Sequence, residues 1–486
     1  MTQRRDLKIV EQPPGSVDAE DIARRLRQQE ENRRIGDELG EPIITSEQTA
    51  DEMLENLVFV VSGSRIVDRR TRRVRKLVDA QNELAASRTT YDDQQGKARS
   101  GPTLKRWLEH KERLTTGALM WDPKQDEFGR EPEGNEIAYN TWRGLPAAPD
   151  APTNWKKLAK PFIDHMEYLI PVAQERHRFI QWLAHIFKDP ATLPHTSYLM
   201  VTETTGIGRN WLSSVLVRLL PGSVAAGISI TDTLDGSFNG RLSQKLLAVV
   251  DETREGMAGK DRYRRAERLK SELTAEFRHI NPKYGHQIVE RNCCRWLMFS
   301  NHLDALPFDN HDRRVIVIAN PTDRKSEAYY ARLYGLVDDP KFIASVRRYL
   351  EEVNVASFNP GAHAPLSTAK QRALEAMATE EERACAAFKR EWPGNLAGRR
   401  DVRAFVSQQM DVEFINENHL THAIRRAGMG TTGVRITRQT NMPQQKDTVV
   451  IVRPERVTLD EVQAASTTWL RQQILDAATT ADREQI

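Results

Sequence analysis

Three apolar runs, each broken off by a polar residue, lie within about a hundred residues of one another and constrain most of what this chain can fold into. The first, from Tyr198 to Val201, leads to the loop Thr205-Gly206-Ile207-Gly208-Arg209-Asn210, and a helical pattern from Trp211 to Leu220 follows. The second, Leu246 to Val250, ends in Asp251-Glu252, and the third, Trp296 to Ser300, ends in Asn301. Short continuous apolar runs fit strands buried on both faces of a parallel sheet. Open α/β sheets place ligands outside the carboxyl ends of their strands. The order therefore predicts an α/β core in which a glycine loop, an acidic pair and an asparagine share one sheet edge.

Each of these ends suits phosphate chemistry. A glycine loop that opens a helix points backbone N–H groups and the positive helix end at an anion. The usual pattern is Gly, four residues, Gly-Lys-Ser/Thr. The corresponding positions here are Glu203, Gly208, Arg209 and Asn210, so three of four differ. Arg209 keeps a cation, though as a fork rather than a point charge. Asn210 offers a carbonyl oxygen to Mg²⁺, and Glu203 brings a negative charge close to an anion site. Asp251 is the expected Mg²⁺ ligand, and Glu252 the residue that orients or deprotonates the attacking water. Asn301 would touch the terminal phosphate or that water. Arg313 and Arg314, just ahead of the apolar run Val315 to Ala319, suit an arginine finger reaching a neighbouring subunit. Taken singly, an ordinary turn, a surface acidic pair, a turn asparagine or surface ion pairs would explain each feature. Their order and spacing favour the joint reading.

At 486 residues the chain should form roughly two to four domains. Its 71 Lys and Arg against 68 Asp and Glu leave a net charge of +3, so any basic nucleic-acid surface must be local. The three cysteines, Cys293, Cys294 and Cys385, show no metal-ligand spacing and read as reduced core thiols. No apolar run has membrane-spanning length and the first residues lack a signal-peptide core, which leads us to expect a cytoplasmic protein.

Residues 1–50 are polar and read as a flexible tail, and 51–150 as a small α+β region opening with the strand Leu57 to Val61. The arginines between Arg65 and Lys76 suit a solvated face slightly better than a DNA-facing patch. An Ala/Pro linker, Pro146 to Pro152, precedes two helices over 151–196 that lead into the core. The ATPase-type core occupies 197–357, a second linker runs from Phe358 to Pro365, a C-terminal unit occupies 366–458, and a helical tail occupies 459–486.

With these motifs in place, the chain resembles superfamily 3 helicases, and more closely the helicase part of phage and poxvirus-type primase-helicases. The likeness covers about Asn135 to Pro321. Beyond the three strands it rests on Gly134-Asn135 through Asn140-Thr141-Trp142-Arg143-Gly144, on Phe238-Asn239, on Leu269-Lys270 to Thr274, and on Ile280-Asn281-Pro282-Lys283-Tyr284-Gly285-His286. The resemblance implies an AAA-like P-loop NTPase fold, ATP and Mg²⁺ as cofactors, and a hexameric ring translocating on single-stranded or forked DNA. It also implies that a hairpin carrying Lys283, Tyr284 and His286 tracks DNA in the channel. The first 130 residues show no catalytic carboxylate pair, so a separate primase or polymerase is the implied partner.

In the C-terminal unit, helices over Glu380 to Trp392, Asp401 to Met410 and Asn416 to Ala427 precede a hairpin from Val434 to Arg438 and from Thr448 to Arg453. That order suggests a winged helix with Arg425 and Arg426 on its recognition helix, serving either DNA contact or protein docking. Three functions stay open on sequence: an ATP-driven replicative helicase, a non-hydrolysing DNA-binding initiator ring with a degenerate loop, and a protein-remodelling ATPase. The Asn281 to His286 segment argues against the last.

Overall fold

The computed structural model describes residues 48–92, 95–132, 136–230, 238–251, 262–283, 288–303, 312–438 and 446–484, with isolated positions at 27, 134, 233, 236, 305 and 306. The chain divides into two compact units, Met1–Arg143 and Gly144–Ile486.

In the first unit, α1 (Ala50–Asn56) starts at a capping box in which Thr49 and Glu52 satisfy each other's backbone N–H groups. Strands β1 (Leu57–Val60), β2 (Arg65–Asp68) and β3 (Arg73–Lys76) form an antiparallel meander that β6 (Leu114–Thr116) extends, giving the order β3-β2-β1-β6. Helices α2 (Leu77–Glu83) and α3 (Thr103–Glu109) pack Ala80, Leu104 and Trp107 into its core. A hairpin of β4 (Arg88–Asp92) and β5 (Ala98–Pro102) and a small sheet of β7 (Ala118–Met120), β9 (Ile137–Asn140) and β8 (Phe128–Arg130) complete it. Three arginines of the run are used internally, while Arg70 and Arg73 are exposed. Arg69 pairs with Glu127 at 2.7 Å, buried Arg75 meets Glu83 at 3.0 Å, and Arg72 donates to the Asn140 carbonyl at 2.7 Å.

The second unit holds the parallel sheet. Helices α4 (Trp155–Leu169) and α5 (Ala173–Lys188) lead into β10 (Ser197–Val201) and α6 (Arg209–Leu219). Then come β11 (Val224–Ala225), β12 (Leu247–Val250), α7 (Arg262–Thr274), the hairpin β13 (Phe277–Ile280) and β14 (Ile288–Arg291), β15 (Arg295–Ser300) and β16 (Val315–Ala319). The sheet order is β11-β12-β15-β10-β16, every pair parallel. Alternate residues face opposite sides. Leu199, Val201, Val250, Trp296 and Val317 join Leu269 and Leu273 of α7 in one core cluster, while Tyr198, Met200 and Phe299 are buried on the other side. Helices α8 (Glu327–Tyr334) and α9 (Pro340–Glu352) follow, and α9 packs along α4 and α5.

Helix α10 (Thr368–Met377) belongs to this core by packing, although grouping by sequence puts it with the C-terminal unit. Its Ala373 is buried in the sheet's cluster. Its Lys370 ammonium is buried against the Asp312 carbonyl at 2.6 Å, the Asp312 carboxylate at 3.2 Å and the Val315 carbonyl at 3.0 Å. The linker before it is pinned as well: Ala364 N–H donates to the Arg313 carbonyl and His195 N–H to that of Pro360.

Beyond α10 lie α11 (Glu380–Glu391), β17 (Leu396–Gly398), α12 (Arg399–Met410), α13 (Glu417–Arg426), β18 (Gly430–Thr437) and β19 (Lys446–Ile451), with an antiparallel sheet ordered β17-β19-β18. Strand β17 was missed in sequence because three residues show no periodicity. Helices α14 (Leu459–Ala464) and α15 (Thr467–Glu484) follow. The expected tail is helical but packed: Leu470, Ile474, Ala477 and Ala481 are buried in the module's two clusters.

Candidate active site

Because all five strands run parallel, the ends of β10, β12 and β15 share one edge, and the predicted loop, carboxylate and asparagine all lie along it. Thr205 to Asn210 line a cavity of about 610 Å³ together with Phe299, Asn301 and residues of α8. Two backbone features shape it. Gly206 and Gly208 have φ of +73° and +93°, conformations open to glycine at little cost. A Cβ on Gly208 would lie 2.6 Å from His165 Cε1. Gly208 is also the N-cap of α6 and supplies no side-chain cap, unlike Ser326 and Ser367, which cap α8 and α10. The first amides of α6 therefore open onto the cavity without a side-chain acceptor at the cap, as an anion site requires.

Arg209 lines this space, but its guanidinium is engaged by the sheet. It is 9% exposed. One guanidinium nitrogen donates to the Met200 carbonyl at 3.1 Å and the Ser300 carbonyl at 2.7 Å, and the other to Asn301 Oδ1 at 2.6 Å. The fork thus ties the ends of β10 and β15 together and orients Asn301. Asp251, half-buried, follows β12 on the far side of β15, roughly 10 Å from β10 at two strand spacings. Glu252 lies outside the described residues. Among the described residues no three His, Cys, Asp or Glu side chains gather as a metal cage.

Sequence reasoning missed the layer beneath the loop. His165 of α4 is buried, its Nε2 3.2 Å from the Gly208 carbonyl and its Nδ1 3.0 Å from the Tyr329 hydroxyl. The carbonyl can only accept, so Nε2 carries the proton and Nδ1 accepts from Tyr329. Burial holds His165 down to about 4, against the weaker upward pull of its bond to Gly208. The Tyr329 hydroxyl is pushed up to about 12, chiefly by burial. Arg324 was missed too. It lies over the loop, its Nε donating to the Gly206 carbonyl at 3.2 Å, with Glu327 2.9 Å away. The available signal was its position just past β16, at the same carboxyl edge.

The remaining predicted residues fall elsewhere. Arg313 is exposed and Arg314 half-buried, both ahead of β16. Val315 pairs with Ser197 and Ala319 with Val201, so these arginines sit at the opposite end of the sheet from the loop. A strand of this length is roughly 16 Å, at about 3.3 Å per residue. Lys283 is exposed in the turn after β13, and Tyr284 and His286 lie outside the described residues, as does Asn135. On α13, Arg425 bonds Thr431 Oγ1 at 3.3 Å and Arg426 pairs with Glu382 at 3.2 Å, which draws both toward their own module. Cys293, Cys294 and Cys385 are buried thiols outside any disulfide, and no described helix is long and apolar enough to cross a membrane.

Residues 200–314, which span the loop, Asp251 and Asn301, match the model of a family of unknown function, DUF5906. In sequence the chain is similar to the DNA primase-polymerase of Nitratiruptor phage NrS-1, 26% identical over 182 residues. The match takes in 36% of this chain and 25% of that protein, so it spans about a quarter of the relative's length. In fold the chain is similar to the apo structure of the NrS-1 C-terminal region, with a TM-score of 0.57 and 16% identity over 82% of this chain and 95% of that one. An A-form apo structure of the same region gives 0.54, again at 16% identity, over 81% and 96%. Both comparisons lead to one protein: the chain is similar in sequence and in fold to parts of a phage primase-polymerase.

Proposed function

We propose that this chain is a phage-type replication motor that hydrolyses ATP with Mg²⁺ at the carboxyl edge of its parallel sheet and moves on single-stranded DNA as a ring, in the manner of a superfamily 3 helicase with an AAA-like core. The observation that carries the reading is the cavity bounded by the positive-φ loop Gly206–Gly208, the uncapped start of α6 and Asn301, with Asp251 on the same edge. Loop amides bind the phosphates, Asp251 and Asn210 hold Mg²⁺, Asn301 orients the attacking water and Glu252 takes its proton. Mg²⁺ supplies charge neutralisation between phosphate oxygens. Arg313 acts on a neighbour's site, since its distance from its own loop favours action in trans. Lys283, Tyr284 and His286 contact the DNA backbone, and the C-terminal module, ordered as a winged helix, adds duplex contacts through α13. Similarity to the NrS-1 primase-polymerase supports the replication setting.

The test is phosphate release by the purified chain with Mg²⁺-ATP, with and without single-stranded DNA. DNA-stimulated turnover that disappears in Glu252→Gln, with nucleotide binding retained, supports the motor. One observation favours a second reading, a nucleotide-binding initiator ring that does not hydrolyse: the Arg209 fork is occupied by the sheet and Asn301. Binding without turnover under any DNA condition would select it.

A further inference from the structure

We infer that Arg324, rather than Arg209, is the cation that meets the phosphates in this cavity, and that Arg209 is a positioning residue; the assignment rests on the nucleotide reading of the site. Among the described residues lining the cavity, the cations are these two. Turning Arg209 toward a ligand would strip its donors from two carbonyl oxygens at strand ends and from the side chain of Asn301. The two carbonyl oxygens are buried beside Arg209, where an orphaned oxygen is costly, and Asn301 is half-buried.

Arg324 has the opposite character. Its side chain is 48% exposed, its guanidinium lies against the loop backbone, and a Cβ at Gly206 would come within 3.1 Å of its Nε. Its Cζ sits 5.6 Å from the centroid of the Tyr330 ring, which gives the planar group an aromatic support. The contacts to the Gly206 carbonyl and to Glu327 account for two of the five donors a guanidinium carries. Glu327 is itself 82% exposed, so that pair is readily exchanged for a more highly charged partner. A triphosphate between the start of α6 and Arg324 would be gripped by amides on one side and a fork on the other, as bidentate phosphate recognition prefers. The neighbouring Lys325 is turned away, its ammonium 4.9 Å from the Tyr168 ring centroid.

The experiment titrates the full chain, with Mg²⁺, with ATP and with AMP by calorimetry, for the unaltered protein, Arg324→Gln and Arg209→Gln, with Arg332→Gln on the exposed side of α8 as a charge control. Arg324→Gln should weaken ATP roughly tenfold or more while leaving AMP within about twofold, because a charge-assisted contact to the outer phosphates is lost. Arg324→Lys should recover part of the loss. Arg209→Gln should weaken both ligands alike and lower the thermal midpoint. An unchanged ATP-to-AMP ratio in Arg324→Gln, or a loss confined to ATP in Arg209→Gln, overturns the assignment while leaving the nucleotide site standing. No nucleotide binding by the unaltered chain removes both.

Discussion

Acidification should loosen the glycine loop through His165. The folded protein holds this imidazole neutral down to about 4, whereas the ordinary value is 6.5. Between those values the unfolded chain binds a proton that the folded one refuses, so stability is full above pH 6.5 and falls as pH drops toward 4. Moving from pH 7 to pH 5 traverses enough of this window to cost about 2 kcal/mol, at about 1.4 kcal/mol per unit. The loss should appear locally, because His165 bridges the Gly208 carbonyl at the start of α6 and the Tyr329 hydroxyl on α8. The assay is hydrogen exchange of the α6 amides at the two pH values, corrected for intrinsic rates, in the unaltered chain and in His165→Gln. At pH 7 the variant should be the less protected. At pH 5 the gap should have narrowed by about 2 kcal/mol, since only the unaltered chain carries the proton-linked loss. A gap that stays constant across the range would refute the reasoning, whatever the variant's own stability.

Three further outcomes are expected. Gly208→Ala should destabilise the second unit by about 2 kcal/mol or more and abolish nucleotide binding, since a φ of +93° and a 2.6 Å approach to His165 add together; Gly222→Ala, with φ of +75° and nothing within 4 Å, should cost only about 1 kcal/mol in thermal or urea unfolding. Lys370→Met should cost about 3–5 kcal/mol by leaving the buried Asp312 carboxylate without its ammonium, and adding Asp312→Asn should restore part of the loss in the same unfolding measurement. For ATP turnover, Arg313→Ala and Glu252→Gln should each be inactive alone yet regain activity when mixed, because some interfaces then pair an intact Glu252 with an intact arginine; no recovery despite subunit exchange would rule Arg313 out as a finger in trans.

The strands were legible because burial on both faces leaves a mark that survives in one dimension: Leu246 to Val250 and Trp296 to Ser300 became β12 (Leu247–Val250) and β15 (Arg295–Ser300). Their shared edge followed from parallel order alone. Which way Arg209 points was not legible, since that depends on carbonyls at positions 200 and 300 coming within reach of it. Arg324 and His165 were hidden for the same reason, standing 118 and 43 positions from the loop residues they touch. A fully buried arginine such as Arg295, which donates to His185 Nδ1 at 3.0 Å and to the Thr192 carbonyl at 3.1 Å, likewise looks like a surface charge until the helix end that receives it is in place. The allegiance of α10 rests on the buried Ala373 and on Lys370, whose burial no composition shift announces.

The sheet order also governs how the chain reaches its folded state. Strand β10, which carries the glycine loop, has its two neighbours in β15 and β16, whose pairing residues are made about a hundred residues later. During synthesis β10 therefore emerges with both hydrogen-bonding edges bare and a largely apolar sequence, Tyr198 to Val201. Such a strand is a template for pairing with other chains until its own partners arrive. Of the five strands in this sheet, the one that carries the glycine loop thus waits longest for its partners, and slow folding is the expected consequence of that topology.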